Sequence, residues 1–220
     1  MTHFLRPHEV IPGFLVTAEK PPDPNAYLIK GSKGALLVDT CSTLNGNPFA
    51  SISGFPRLDY VVNTHPHIDH IAGNDYFPHV PVAMHEKAAA VIKQRDTEIS
   101  VASMFHLDLP RHSIDRELKD GDRLELGSLT FQVIYTPGHC VGAICLYEPS
   151  RKALLSGDTV FTEGSVPRYD LPSGDLPTLL DSFERLMQLD VEWILPGHGR
   201  ASSNGRVVLT DSRERLRRML

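Results

Sequence analysis

The sequence is poor in cysteine, with three among its 220 residues: Cys41, Cys140 and Cys145. Their number is odd and their spacing fits no metal motif, so reduced thiols are the simple interpretation. The N-terminus also lacks the apolar segment of a signal peptide. Together these absences predict a cytoplasmic protein.

Long apolar runs and an excess of positive charge are also missing. No stretch approaches the roughly 20 apolar residues of a membrane-spanning helix. The formal net charge is −5, whereas nucleic-acid binders normally show a basic face. We therefore expect neither membrane nor nucleic acid as a partner, and a small-molecule substrate instead. The sequence gives no indication of an oligomeric state.

Length and hydrophobic content favour one folded domain. Hydrophobic residues make up 41% of the chain, enough for a core. We expect a single domain over residues 1–220, with a charged helix at 211–220 as an appendage.

Histidine is abundant, with 11 residues, and one short segment concentrates potential metal ligands. Within six positions it contains His65, His67, Asp69 and His70. Pro66 pushes His65 toward extended geometry, in which residues two apart point the same way. The first two histidines can therefore face one point, whereas the last two ligands fall where a helix begins. This layout suits two neighbouring metal ions, since imidazole and carboxylate suit zinc and related metals.

Three more apolar strands run into tight glycine-containing turns, and each turn carries one possible ligand. These ligands are His139, Asp158 and His198. Glycine allows the backbone to approach a buried centre closely. A single Gly-Asp pair is more often an ordinary turn. Four such strand ends with seven nitrogen and oxygen ligands indicate one shared metal centre.

The four motifs resemble those of the metallo-β-lactamase superfamily, and within it most closely the glyoxalase II-like hydrolases. They are His65-x-His67-x-Asp69-His70, Thr136-Pro-Gly-His139, Ser156-Gly-Asp158-Thr159 and Pro196-Gly-His198-Gly199. The resemblance covers roughly residues 10–200. It implies an α+β fold, an αββα sandwich of two mixed β-sheets flanked by helices, with a dinuclear metal site at one edge.

The resemblance also implies a role for each motif residue. The first metal would be held by His65, His67 and His139. The second would be held by Asp69, His70 and His198. Asp158 would bridge both ions, and Asp39 would orient a histidine ligand from behind. Cys140 follows a ligand directly and is interpreted as a buried structural thiol, with a role beside the metal as the alternative.

Charge counting agrees with hydrolysis. Two divalent ions, two aspartates and a bridging hydroxide would give the site about one net positive charge, which favours an anionic tetrahedral intermediate. A bound metal ion also lowers the pKa of water to about 7, so hydroxide is available at neutral pH. The hydroxide would attack an acyl carbon, and the leaving group would depart toward the second metal. Asp69 and Asp158 are the predicted catalytic residues, with Asp69 placed to orient the nucleophile or carry a proton. Zinc fits this ligand set, with iron or manganese as alternatives.

A small thioester or ester-like molecule is the leading substrate class, and a lactone is the nearest alternative. A mononuclear iron persulfide dioxygenase is the alternative from another reaction class, although the complete second ligand set argues against it. β-Lactams and RNA phosphodiesters are disfavoured by the missing export signal and the acidic charge. A non-catalytic metal scaffold would leave the full ligand set unexplained.

Substrate contacts are predicted in a loop similar to one in short glyoxalase II-like hydrolases. That resemblance places Arg168, Tyr169 and Asp170 near the site. Arg168 could pair with an acidic substrate group or brace the loop with Asp170. Tyr169 could donate a hydrogen bond to an oxyanion. Only residues 200–220 follow the last motif, whereas glyoxalase II proper continues with a helical domain, so glutathione thioesters are disfavoured.

Local patterns predict the remaining elements. Strands are expected at 10–16, with a break at Pro12-Gly13, and at 26–30, 35–38, 59–63, 80–84, 123–126, 129–135, 143–147, 153–155 and 191–195. Helices are expected at 44–52, 69–77, from 85 to about 104, at 177–189 and at 211–220. Residues 105–119 are predicted to be irregular, either as a lid over the site or as a simple connection.

Overall fold

The computed structural model describes residues 7–17, 24–41 and 57–220. The helix predicted at 44–52 lies outside these residues. None of the described helices combines the length and the apolar character that crossing a lipid bilayer would require.

The larger sheet contains seven strands in sequence order within the described ranges. They are β1 (His8–Ile11), β2 (Phe14–Val16), β3 (Tyr27–Lys30), β4 (Ala35–Val38), β5 (Tyr60–Val62), β6 (Val82–His85) and β7 (Arg116–Leu118). The pairs from β1 to β4 are antiparallel, whereas those from β4 to β7 are parallel. The carboxyl ends of β4 and β5 therefore meet at one edge of the sheet.

The smaller sheet has the strand order β12-β11-β10-β9-β8. Its strands are β8 (Arg123–Glu125), β9 (Thr130–Tyr135), β10 (Ile144–Glu148), β11 (Ala153–Gly157) and β12 (Trp193–Pro196). Both β9 and β11 run antiparallel to β10, and β12 runs parallel to β11. Three strands thus share one direction, and their carboxyl ends lie at the same edge.

Helices cover the outer faces of both sheets. They are α1 (Ile68–Ile71), α2 (Glu86–Lys93), α3 (Ala102–Phe105), α4 (Leu176–Leu186) and α5 (Gly205–Arg217). The Asp175 carboxylate accepts a hydrogen bond from the Thr178 amide at 2.8 Å and caps the first turn of α4. This cap and the proline in that turn fix where the helix begins.

Clusters of buried apolar residues hold the layers together. Between the sheets, the rings of Phe14 and Phe131 lie 5.9 Å apart, centroid to centroid, within the largest cluster. On the outer face of the smaller sheet, α4 and α5 bury Phe183 and Leu209. Beside the larger sheet, α1, α2 and α3 pack around Met84. The layers are helix, sheet, sheet and helix, which confirms the predicted αββα sandwich.

Two elements of the structure differ from the predicted ones because the chain turns within the predicted range. The strand predicted at 10–16 is the hairpin of β1 and β2, since Gly13 has a φ of 89° and reverses the chain. The helix predicted from 85 to about 104 is wrong beyond Lys93. Arg95 has a φ of 52°, and the Asp96 carboxylate accepts hydrogen bonds from the amides of Glu98 and Ile99 at 3.1 and 2.9 Å. Such a side chain competes with the helix for backbone donors.

The other differences are smaller. The helix predicted at 69–77 consists of α1 and a 3-10 turn over Asn74–Tyr76. The segment predicted as irregular at 105–119 contains β7 near its end. The last helix begins at Gly205 rather than at residue 211, and its Leu209 and Leu216 are fully buried.

Candidate metal centre

The carboxyl ends of four strands bring all seven predicted ligands to one edge of the sandwich. His65 and His67 follow β5, and Asp69 and His70 lie on α1 immediately afterwards. The turns after β9, β11 and β12 contribute His139, Asp158 and His198. The common direction of β9, β11 and β12 brings their turns to one edge. The Ile144 amide donates to the Thr64 carbonyl at 2.9 Å, which joins the end of β5 to that edge.

Histidines form the first group of potential ligands. Ligand atoms of His65, His67, His139 and Cys140 all lie within 4.8 Å of one another. His139 Nε2 is 3.0 Å from His67 Nδ1. The edge-on packing of the His65 and His67 rings, with centroids 4.7 Å apart, turns these side chains toward one point.

The second group joins α1 to the turn after β12. Ligand atoms of Asp69, His70 and His198 also lie within 4.8 Å of one another. Nε2 of His198 is 3.2 Å both from Nε2 of His70 and from Oδ2 of Asp69. This second group is complete, with two imidazoles and one carboxylate.

Asp158 lies between the two groups and faces both. Its Oδ1 is 3.4 Å from His70 Nε2. Its Oδ2 is 3.7 Å from both His139 Nε2 and His198 Nε2. One carboxylate can therefore reach two cations held by the two groups.

Gly197 allows this close approach. A Cβ atom at position 197 would clash with Oδ1 of Asp158 and would lie 2.8 Å from Cε1 of His70. The missing side chain is thus a requirement of the cluster.

Hydrogen bonds behind the histidines fix which ring nitrogen faces the cluster. The Asp39 carboxylate accepts from the Thr64 hydroxyl at 2.8 Å and lies 2.9 Å from His70 Nδ1. Because that hydroxyl donates to Asp39, its oxygen can only accept from His65 Nδ1, 3.0 Å away. His139 Nδ1 donates to the Arg168 carbonyl at 2.7 Å. In all three rings Nδ1 is engaged behind the cluster, which leaves Nε2 facing into it.

Unpartnered polar atoms show that these residues suit metal ions. Within the described part of the chain, His65 Nε2 and Asp158 Oδ1 are buried at the cluster without a hydrogen-bond partner. A buried polar atom left unsatisfied costs about 1–3 kcal/mol. Divalent cations would satisfy nitrogen and oxygen atoms of this kind together, so the donor set fits two such ions.

Burial and charge set the protonation of the ligands. Burial lowers the pKa of His67 to about 3, and burial together with the neighbouring His70 holds the pKa of His65 well below its usual range. Burial also opposes charging of His70, but the carboxylates of Asp158, Asp69 and Asp39 outweigh it and raise its pKa. The His65 and His67 imidazoles are therefore neutral and available as ligands, and the carboxylates favour a positive charge in the second group.

A cavity of about 420 Å³ opens beside the cluster. Its volume falls within the range of about 300–1,000 Å³ that is typical of small-molecule sites. The ligands at its floor are His67, Asp69, His139, Asp158 and His198. Apolar side chains from α3 and from residues 161–171 form much of its wall.

The predicted loop residues occupy different positions. Arg168 lines the cavity and forms a bidentate ion pair with Asp170, with contacts of 2.9 and 2.7 Å. This is the bracing alternative of the prediction. The Tyr169 hydroxyl lies 3.9 Å from Sδ of Met219 on the C-terminal side, and Tyr169 is not among the residues lining the cavity.

Sequence reasoning missed two contributions to the site. Thr64 orients His65, and its position next to the first motif histidine was an available signal. The apolar side chains of α3 line the cavity. The sequence did not indicate this position, because residues 85–104 were predicted to form one helix whose apolar residues would face the core. Cys140, beside His139, is fully buried, and burial raises the pKa of its thiol well above the usual range.

Comparisons with known proteins agree with this geometry. A model of the metallo-β-lactamase superfamily matches residues 20–198. The chain is 31% identical over 202 residues to acyl-coenzyme A thioesterase MBLAC2 of Gallus gallus, a match covering 79% of this chain and 72% of that protein. It is 32% identical over 157 residues to hydroxyacylglutathione hydrolase of Brucella anthropi, covering 70% of this chain and 52% of that protein. The chain thus spans about half the length of the latter relative.

Solved structures include a neighbour with metal bound. The crystal structure of TTHA1623 in a di-iron-bound form has a TM-score of 0.67 and 31% sequence identity to this chain. The likeness covers 85% of this chain and 93% of that one.

Proposed function

Because the chain belongs to the metallo-β-lactamase superfamily, we propose that it holds two divalent metal ions and cleaves a small thioester or related ester. The chain is a metal-dependent hydrolase, and the resemblance to glyoxalase II-like hydrolases is confirmed by the hydroxyacylglutathione hydrolase relative. The observation that carries the dinuclear proposal is the position of Asp158 between two ligand groups.

The proposed ligand sets follow the two groups. His65, His67 and His139 would hold one ion. Asp69, His70 and His198 would hold the other, with Asp158 reaching both. Zinc suits five imidazoles and two carboxylates without a thiolate, and iron is the alternative. The di-iron form of a structural neighbour is the reason for keeping iron.

Bound metals of this kind lower the pKa of water to about 7 and polarise a carbonyl group. Residues of the chain would position the substrate and the proton. The Asp69 side chain is one-third exposed, whereas that of His70 is fully buried. Asp69 also lines the cavity, so it is the ligand carboxylate best placed to orient the nucleophile or carry a proton. Asp39, behind His70, is a positioning residue.

The substrate class rests on the names of the relatives and on the shape of the cavity. One relative is named as an acyl-coenzyme A thioesterase and another as a hydroxyacylglutathione hydrolase, and both names denote thioester cleavage. A cavity of about 420 Å³ beside the cluster can take a small molecule of this kind. We further propose that the substrate is a small molecule, that the protein is cytoplasmic, and that it has no nucleic-acid partner.

Metal counting and a substrate panel test this proposal together. We would measure metals per chain on the purified protein and assay the same sample against thioesters, lactones, β-lactams, phosphodiesters and persulfides. We expect two metals per chain and thioester hydrolysis that is lost on chelation and restored by added metal. One iron per chain with oxygen uptake on a persulfide would contradict the proposal. Lactone opening without thioester cleavage would contradict the proposed thioester substrate and leave the proposed dinuclear metal centre standing.

A further inference from the structure

Helix α3 exposes large apolar side chains at the rim of the cavity. Met104 and Phe105 are each 55% exposed, and both line the cavity together with the buried Val101. We call these three residues the α3 wall. Exposed apolar patches mark sites of binding, and this patch is continuous with the cavity beside the ligand cluster.

Unusual backbone geometry holds the wall in place. Val101 before α3 and His106 after it both have left-handed conformations, with φ of 53° and 54°. A positive φ is a clear outlier for a β-branched residue and is often found at functional sites. The Ile68 amide donates to the Ser100 carbonyl at 2.9 Å. The start of α3 is thereby tied to the residue that follows His67.

The cavity lining differs between the α3 wall and the segment at residues 161–166. On the side of His67 and His139, the α3 wall is joined by Leu171, whose loop is held by the bond from His139 to the Arg168 carbonyl. The side near His198 is mixed. Its polar residues are Thr162, Glu163 and Ser165, and beside them lies the ring of Phe161, 6.1 Å from the His198 ring between centroids. The Thr162 hydroxyl donates to the Arg200 carbonyl at 2.7 Å, which fixes this side next to His198.

A thioester between an aliphatic acid and an amide-containing thiol is divided in a matching way, with a wholly apolar acyl chain and a thiol part that carries polar groups. We propose that the α3 wall binds the straight alkyl chain of the substrate's acyl group, while the thiol part lies along residues 162–165. This inference rests on the proposed thioester hydrolysis and names the acyl group that the site selects. The wall determines chain-length specificity and takes no part in bond cleavage.

Binding of straight-chain carboxylates tests the wall without relying on turnover. We would titrate butanoate, hexanoate, octanoate and decanoate into the metal-loaded protein by calorimetry. Burying one methylene group corresponds to a change of about fourfold in affinity, so the dissociation constant should fall by about that factor per CH₂ until the chain outgrows the cavity. Burial of the chain should also give a negative heat-capacity change.

Variants locate the effect on the wall. In Phe105→Ala and in Met104→Ala the gain in carboxylate affinity per methylene should be smaller than in the wild type. Phe105→Leu should retain most of the wild-type gain. Val207→Ala is the matched control, because Val207 is 59% exposed on α5 and does not line the cavity. Its chain-length dependence should equal that of the wild type. Circular dichroism would confirm that each variant folds.

Kinetics with N-acetylcysteamine thioesters, from acetyl to octanoyl, complete the test. We expect kcat/KM to rise with chain length, mainly because KM falls. In Phe105→Ala the ratio of kcat/KM for the hexanoyl thioester to that for the acetyl thioester should fall at least fivefold. Affinity independent of chain length in the wild type, or an unchanged slope in both alanine variants, would overturn the inference. The α3 wall could instead mediate self-association. If light scattering shows an oligomer that Phe105→Ala disrupts, while carboxylate binding is unchanged in that variant, the inference is overturned. Chain-dependent binding without thioester turnover would support the wall while refuting the proposed reaction.

Discussion

The Asp39 carboxylate lies 2.9 Å from Nδ1 of His70, on the side of the ring away from the cluster. This contact fixes the proton on Nδ1 and directs Nε2 toward Asp158, 3.4 Å away. Asp39 achieves it from a left-handed backbone position with φ of 60°, which is uncommon for a residue other than glycine. The strained residue therefore supports the metal centre from behind without touching the cavity.

Replacement of Asp39 by asparagine should weaken metal binding. An amide group facing Nδ1 no longer provides the charged acceptor that holds the ring, and loss of such outer contacts typically costs about 10–100-fold in metal affinity or activity. Competition with a chromophoric chelator would measure the affinity. Asp190→Asn is the matched control, since Asp190 forms an exposed ion pair with Lys152. Equal affinities in Asp39→Asn and the wild type would contradict the role of Asp39.

Replacement of Asp158 by alanine should abolish activity and remove one or both metals. The carboxylate lies between the two ligand groups, so its loss takes a negative ligand from each proposed ion. Elemental analysis and the thioester assay on the same sample would measure both effects. Turnover retained with an unchanged metal content would refute the bridging assignment.

Much of the site was predictable because its ligand types lie in characteristic short motifs at strand ends. An apolar strand precedes each of His65, His139 and Asp158, so each ligand was expected at the carboxyl end of a strand. Strands that run in the same direction end at a common edge, which predicts that these ligands meet. The break after Lys93 was not predictable in the same way. The alanine-rich segment favours a helix, and the competing hydrogen bonds from Asp96 became evident only in three dimensions. The exposure of Phe105 likewise depends on that break.

Removal of the metals should lower thermal stability. A ligand present at 100 times its dissociation constant stabilises the folded state by about 2.7 kcal/mol. For a protein of this size that corresponds to a fall in Tm of about 5–10 °C on chelation. Differential scanning fluorimetry with and without chelator would measure the shift, and Asp158→Ala should show a smaller one. An identical Tm for the metal-loaded and chelated wild type would argue against metals held by this buried cluster.

Replacement of Cys140 by serine should be tolerated. Its sulphur lies within 4.8 Å of ligand atoms of the first group, but burial raises the pKa of the thiol well above its usual range. A protonated thiol is a poor ligand, and we interpret Cys140 as a structural residue. Metal content and kcat/KM should stay close to those of the wild type, because a protonated thiol contributes no ligand that the serine would remove. A large loss of bound metal in Cys140→Ser would show that the thiol belongs to the centre.

Replacement of Gly197 by alanine should disrupt the centre through a single methyl group. The added Cβ would clash with the Asp158 carboxylate and press against His70, so the two side chains cannot keep their positions. Overpacking of this kind costs about 1–3 kcal/mol, and we also expect loss of at least one metal. Gly121→Ala separates this effect from general strain, since Gly121 has a φ of 84° with nothing within 4 Å of the added Cβ. The control should lose some stability and keep both metals. Full metal content in Gly197→Ala would mean that the cluster tolerates a wider spacing than the structure indicates.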